Sequence, residues 1–74
     1  MACRAQIQQH VHQIMEARDL MREAEDPVLT KLRRITILSE ATDIIHKVIE
    51  TLGPLSNLVE LRRECHHRFM EACN

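Results

Sequence analysis

The chain has 74 residues, and ten lysines and arginines against eleven aspartates and glutamates give it a net charge of −1. A chain of this length forms one small domain, whose core is marginal alone and is often supplemented by oligomerisation. The charge balance by itself points to neither nucleic acid nor a membrane as partner. Phe69 is the only aromatic residue, which argues against base stacking on single-stranded nucleic acid.

The cysteines and the apolar runs indicate where the protein resides. Cys3, Cys65 and Cys73 are an odd number of cysteines without the spacing of a disulfide framework. No charged leader with an apolar run opens the sequence, and no run approaches the roughly 18 apolar residues of a membrane span. We expect a cytoplasmic protein in a reducing compartment, with reduced thiols and no membrane partner.

Two pairs of helix-breaking residues divide the chain into three helices. One glycine and two prolines leave no room for hairpins or glycine-rich loops, so the fold class is all-α. Asp26-Pro27 is typical of a helix start, and Gly53-Pro54 is typical of a helix end followed by a new start. We predict a single helical domain over residues 1–74, with helices over residues 3–24, 28–52 and 55–72.

Helix two carries more aliphatic surface than the rest of the hairpin covers. Helix one offers one narrow apolar stripe, and helix three is expected to be short and to cap one end of the hairpin. The remaining surface predicts a second copy of the chain, in an antiparallel two-fold dimer that resembles a four-helix bundle. The predicted dimer interface consists of Leu38, Ala41, Ile45, Val48, Ile49 and Leu52.

Neither metal binding nor catalysis is predicted. Cys65, His66, His67 and Cys73 contain no pair of ligands at the short spacing of structural zinc sites, and adjacent histidines on a helix point about 100° apart. The other histidines, His10, His12 and His46, have no nucleophile or carboxylate at the spacing of a catalytic motif. We therefore expect a non-enzymatic protein with no cofactor, no metal and no small-molecule substrate.

Basic residues cluster at two places. One cluster opens helix two with Lys31, Arg33 and Arg34, and Lys47 follows further along the same helix. The other lies on helix three and contains Arg62, Arg63, His66, His67 and Arg68. The simpler interpretation is a solvated face balanced by nearby carboxylates. The alternative is a phosphate-binding surface, because a dimer built on a helix of about 37 Å could lie along double-stranded RNA, which proteins recognise by shape without aromatic residues.

A further pattern runs through most of the chain. In helix one it consists of Ala5, Ile7, Gln8, Ile14 and Ala17. It continues through the turn at Asp26-Pro27, the paired Arg33-Arg34, and the segment from Leu52 to Leu61 that opens helix three. In these residues the chain resembles the family of small RNA-silencing suppressors of insect nodaviruses. Between the arginine pair and the second proline, this chain is about two helical turns shorter than the family.

The resemblance implies a homodimer that lies along one face of double-stranded RNA and hides the duplex from the silencing machinery. Arg33 and Arg34 are the basic residues that match the family, and Lys47 is assigned by its position on the polar side of helix two. The full predicted RNA-binding set is Lys31, Arg33, Arg34 and Lys47, with Arg4, Arg18 and Arg22 of helix one. The alternative function is a protein–protein interaction module, in which the aliphatic face of helix two binds a partner helix.

Overall fold

The protein is an all-helical domain of three helices. The computed structural model describes residues 4–74, without the side chains of residues 4–7 and 9. Its elements are α1 (Arg4–Glu23), α2 (Lys31–Leu52) and α3 (Ser56–Cys73), and this part of the chain contains no strand. The prediction of an all-α fold with three helices is therefore confirmed, while Cys3, the predicted first residue of helix one, lies outside the described residues. None of the three helices has the length and apolar character needed to cross a membrane.

The connection between α1 and α2 places the start of α2 later than expected. The Asp26 carboxylate accepts a hydrogen bond from the Val28 backbone N–H at 3.0 Å, which closes a local turn and not a helix. The N-cap is Thr30, whose hydroxyl oxygen accepts from the Arg33 N–H at 3.2 Å. The predicted start at Val28 is thus wrong, and α2 begins at Lys31 because two competing capping residues stand close together in the sequence.

The end of α2 follows the prediction in outline. Gly53 caps the helix with φ 93° and ψ 172°, and its N–H donates to the Ile49 carbonyl at 2.7 Å. The positive φ is the feature that favours glycine here, although the ψ value is extended and not that of a left-handed turn. Pro54 and Leu55 then lead into α3 at Ser56, where the Leu55 carbonyl accepts from Val59 N at 2.9 Å.

One face of α2 packs against α1. Ala17, Met21 and Ala24 of α1 are almost fully buried, at three- and four-residue spacing, and belong to one core with Ile37 and Ala41 of α2. The short connection makes the two helices antiparallel. The small side chains of Ala17 and Ala41, both with no exposed surface, allow the helices to approach closely.

The second face of α2 is covered by α3, and not only at one end as expected. Leu58 and Cys65 of α3 are buried, and Leu61, Phe69 and Ala72 pack against the same core. These spacings of three and four residues over 18 residues form a stripe that runs along α2. Both α1 and α3 pack extensively on α2 and scarcely on each other. The apolar surface that helix one leaves open is therefore filled largely within the chain.

Candidate nucleic-acid interface

The basic residues of α2 differ in their exposure, their partners and the face of the helix on which they lie. Lys31, Arg33 and Lys47 are exposed, and no carboxylate of the described side chains pairs with them. At about 100° per residue, Arg33 and Lys47 lie roughly 40° apart on the helix, whereas Lys31 lies roughly 160° from Arg33. Arg33 and Lys47 therefore share one face, about 21 Å apart along the axis at 1.5 Å per residue, and Lys31 lies on another.

Arg34 has a structural role. Its Nε donates to the Ala24 carbonyl at 3.0 Å, and its Nη2 donates to the Asp26 carbonyl at 2.9 Å. Ala24 follows the last residue of α1, where carbonyls have no partner within the helix and a cation is favourable. The predicted role of Arg34 in RNA binding does not fit this arrangement, because the guanidinium group is occupied by the chain itself.

The predicted residues of α1 lie in a third place. Arg18 and Arg22 are exposed and line a groove between α1 and α3, together with Met21, Leu61 and Glu64. The backbone of Arg4 begins α1, but its side chain is outside the described part of the structure. The seven basic residues predicted from the sequence thus do not form one continuous surface on a single copy of the chain.

An ion-pair network crosses the groove between α1 and α3. The Arg68 guanidinium pairs with Glu25 at 3.0 Å and with Glu64 at 2.9 Å. The pair with Glu25 ties α3 to the connection that follows α1, and the pair with Glu64 lies within α3. Exposed pairs of this kind each contribute about 0–1 kcal/mol, so the network orients α3 more than it stabilises the fold.

A second group of cations lies beside α2 and was treated in the sequence as part of a solvated face. Arg62, Arg63 and His66 of α3 line a recess with His46 of α2. The repeating pattern of basic residues on helix three was visible in the sequence. Their approach to His46 could not be predicted, since it depends on α3 lying along α2.

Cys65 lies on the buried side of α3, where it meets α2. Its sulfur is 3.2 Å from the Thr42 hydroxyl oxygen and 3.6 Å from the Leu38 carbonyl oxygen. Burial raises the pKa of the Cys65 thiol, an effect that the hydrogen bond with Thr42 and the charge of Arg68 partly oppose. The thiol is thus a packed, uncharged group that joins two helices.

The histidines and cysteines of α3 lie in different surroundings and have different neighbours. His66 stacks against Phe69 with ring centroids 6.5 Å apart, and His67 contacts Glu71 at 3.0 Å. Cys73 is exposed near the end of the chain. Among the residues that the structure describes, no three His, Cys, Asp or Glu side chains come together in a way that could hold a metal ion.

The predicted dimer interface is mostly occupied within one chain. Five of its six residues have 0–8% of their surface exposed, and only Leu52, at 37%, reaches the surface. The five buried residues are Leu38, Ala41, Ile45, Val48 and Ile49. In this conformation they form the core between the three helices, so a second copy of the chain would have to contact other residues or displace α3.

The exposed apolar residues mark where such contacts remain available. Val28 and Leu32, at the connection between α1 and α2, are 87% and 75% exposed, and Leu29 and Ile35 beside them are half-buried. These four residues are called the turn patch below. The sequence had assigned Val28 and Leu32 to the start of helix two, without showing that α1 and α3 would leave them uncovered.

Comparison with known proteins adds no relative. No protein-family model matches the chain, and neither a curated protein nor a solved structure is significantly similar to it.

Proposed function

We propose that the chain is a non-enzymatic protein that binds double-stranded RNA without sequence specificity and suppresses RNA silencing by shielding the duplex. The observation that carries the proposal is the set of exposed cations on α2. Arg33 and Lys47 share one face of this helix, about 21 Å apart along its axis at 1.5 Å per residue, and Lys31 adds a cation on another face. None of the three has a carboxylate partner among the described side chains. Such groups can contact backbone phosphates at separated points along a duplex.

Homodimerisation is part of the proposal, because one copy presents few cations on one face. Electrostatic affinity for a duplex grows with the number of phosphates that are neutralised, and Arg33 and Lys47 alone supply two such contacts. A two-fold pair doubles that number on a common surface. The turn patch, with Val28 and Leu32 exposed, is the apolar surface that a second copy can cover without opening the core.

The test is a binding titration with a charge-reversed variant. Arg33→Glu combined with Lys47→Glu should abolish binding to a 25-base-pair RNA duplex, since two attractive contacts per copy become repulsive. Both side chains are exposed, so the variant should keep its fold by circular dichroism. The comparison variant is Arg18→Glu with Arg22→Glu, which makes the same change of net charge at exposed positions on α1 and should weaken binding less. Unchanged RNA affinity in the α2 variant would contradict the proposal.

A protein–protein interaction module is the second candidate, and the turn patch is the observation that favours it. The aliphatic face of α2, which the sequence suggested as the partner site, is buried inside the chain. A partner would instead meet Val28 and Leu32. Under this second function, Leu32→Asp should abolish partner binding and the reversal of Arg33 and Lys47 should leave it unchanged. Under the first function, both variants should weaken RNA binding, because Leu32→Asp prevents the dimer from forming.

A further inference from the structure

A recess lined by basic side chains, whose exposed wall is largely apolar carbon, lies between the C-terminal half of α2 and α3, away from the three-helix core. Its volume is about 460 Å³, which is ample for a phosphate group. Four of its lining side chains can donate hydrogen bonds as cations or imidazoles, and one apolar side chain completes the wall. The lining consists of Thr42, His46, Val59, Arg62, Arg63 and His66.

The two guanidinium groups in this recess have no internal partner among the described side chains. Arg62 is half-buried and Arg63 is exposed, and neither forms a hydrogen bond or ion pair there. The other two arginines that are half-buried, Arg34 and Arg68, are each held by two oxygen atoms. Both guanidinium groups line the same recess, and an anion there would offset their like charge.

The carboxylates near the recess do not neutralise it. Glu50 is directed to His46, with 3.3 Å between the carboxylate oxygen and Nε2. Asp43 lies in the adjoining hollow, which it lines with His66 and Phe69. Glu60, three residues before Arg63 on α3, is a second exposed carboxylate near the recess. The lining itself contains two guanidinium groups and no carboxylate, so the lining carries a net positive charge.

We propose that this recess is a phosphate-binding site, in which Arg62 and Arg63 hold the phosphate oxygens and His46 borders the site. Arginine suits such a group because its N–H donors match two oxygens at once. The assignment of the ligand rests on the proposed function, under which a backbone phosphate of bound RNA occupies the recess.

The experiment compares two ligands and two double variants. Inorganic phosphate and the 25-base-pair RNA duplex are each titrated into ¹⁵N-labelled protein, and the backbone amide resonances of the recess residues His46, Val59 and His66 are followed by NMR. Arg62→Gln with Arg63→Gln removes the site, and Arg18→Gln with Arg22→Gln removes the same charge from α1. Because these four side chains are exposed or half-buried and have no internal partner among the described side chains, both variants should keep the wild-type urea midpoint.

With phosphate, the expected result is a saturable shift of these resonances in the wild type and in the α1 variant, and none in the α3 variant. With RNA, the wild type should show a saturable shift of the same resonances. For RNA, the slope of log K against log salt concentration should fall by about 0.7–0.9 per lost contact, which is a change that a purely structural role would not produce. RNA binding by the α3 variant with an unchanged slope would overturn the site and leave the proposed function standing.

The proposed function can also fail while the phosphate site stands. If the wild type binds no duplex RNA but phosphate shifts the resonances of His46, Val59 and His66, the proposed function fails. The phosphate site is then supported, with a small phosphorylated molecule as its ligand. If neither ligand shifts these resonances, the site is overturned.

Discussion

The adjacent residues Arg33 and Arg34 should respond in opposite ways to the same substitution. Arg34→Met keeps the aliphatic part of the side chain and removes both donors, which leaves the Ala24 carbonyl without its partner. Each hydrogen bond from a charged donor contributes about 1.5–3 kcal/mol when buried. One of the two bonds is exposed and the other is partly buried, so we expect a total loss of about 2 kcal/mol. Arg33→Met removes no such bond and should change the free energy of unfolding by less than about 0.5 kcal/mol.

Urea unfolding followed by circular dichroism measures this difference. With a slope near 1 kcal/mol per molar urea for a domain of this size, Arg34→Met should lower the midpoint by about 2 M. Arg33→Met should leave the midpoint unchanged but weaken RNA binding and its salt dependence. Equal midpoints for the two variants would refute the structural role of Arg34. A loss of RNA salt dependence in Arg34→Met, at conditions where it stays folded, would restore it as a phosphate contact.

Four further predictions concern the ends of α2 and the cysteines of α3. Thr30→Ala removes the side-chain acceptor for the Arg33 N–H and should cost about 1 kcal/mol in urea unfolding, whereas full stability would contradict the cap. Gly53→Ala should lower the free energy of unfolding by about 1–3 kcal/mol through backbone strain alone, because an added Cβ meets no atom within 4 Å. An unchanged unfolding midpoint would contradict this prediction. Burial raises the pKa of the Cys65 thiol, so this thiol loses its proton at a lower pH in the unfolded state than in the folded state. The free energy of unfolding should therefore fall as the pH rises above about 8.5, and Cys65→Ala should remove this part of the decline. In maleimide labelling with peptide mapping, Cys73 should react rapidly and Cys65 slowly, and equal rates would contradict its burial.

The sequence predicts the elements of this fold better than their arrangement. The all-α class and the end of α2 follow from local chemistry, because Gly53-Pro54 has few other uses between two amphipathic segments. The start of α2 does not, because Asp26 and Thr30 are both good capping residues and the choice between them depends on how the turn packs. A local pattern leaves such a choice open.

The position of α3 could not be predicted for a similar reason. The stripe of Leu58, Cys65 and Phe69 shows that α3 has a buried face, but it does not show whether that face meets this chain or another copy. That ambiguity led to five core residues of α2 being assigned to a dimer interface. The different roles of Arg33 and Arg34 could not be predicted from the sequence either. The partner of Arg34, the Ala24 carbonyl, is brought close only when α1 and α2 form the hairpin.

The most direct test of the proposed function is a gel-shift titration of the full chain with a 25-base-pair RNA duplex, in parallel with the matching DNA duplex and single-stranded RNA, at several salt concentrations. We predict binding to duplex RNA alone, with an affinity that falls steeply as the salt concentration rises. The reason is that basic side chains such as Arg33 and Lys47 displace the counterions of the phosphates they contact. No shift of duplex RNA at micromolar protein, or binding that is indifferent to salt, would contradict the account.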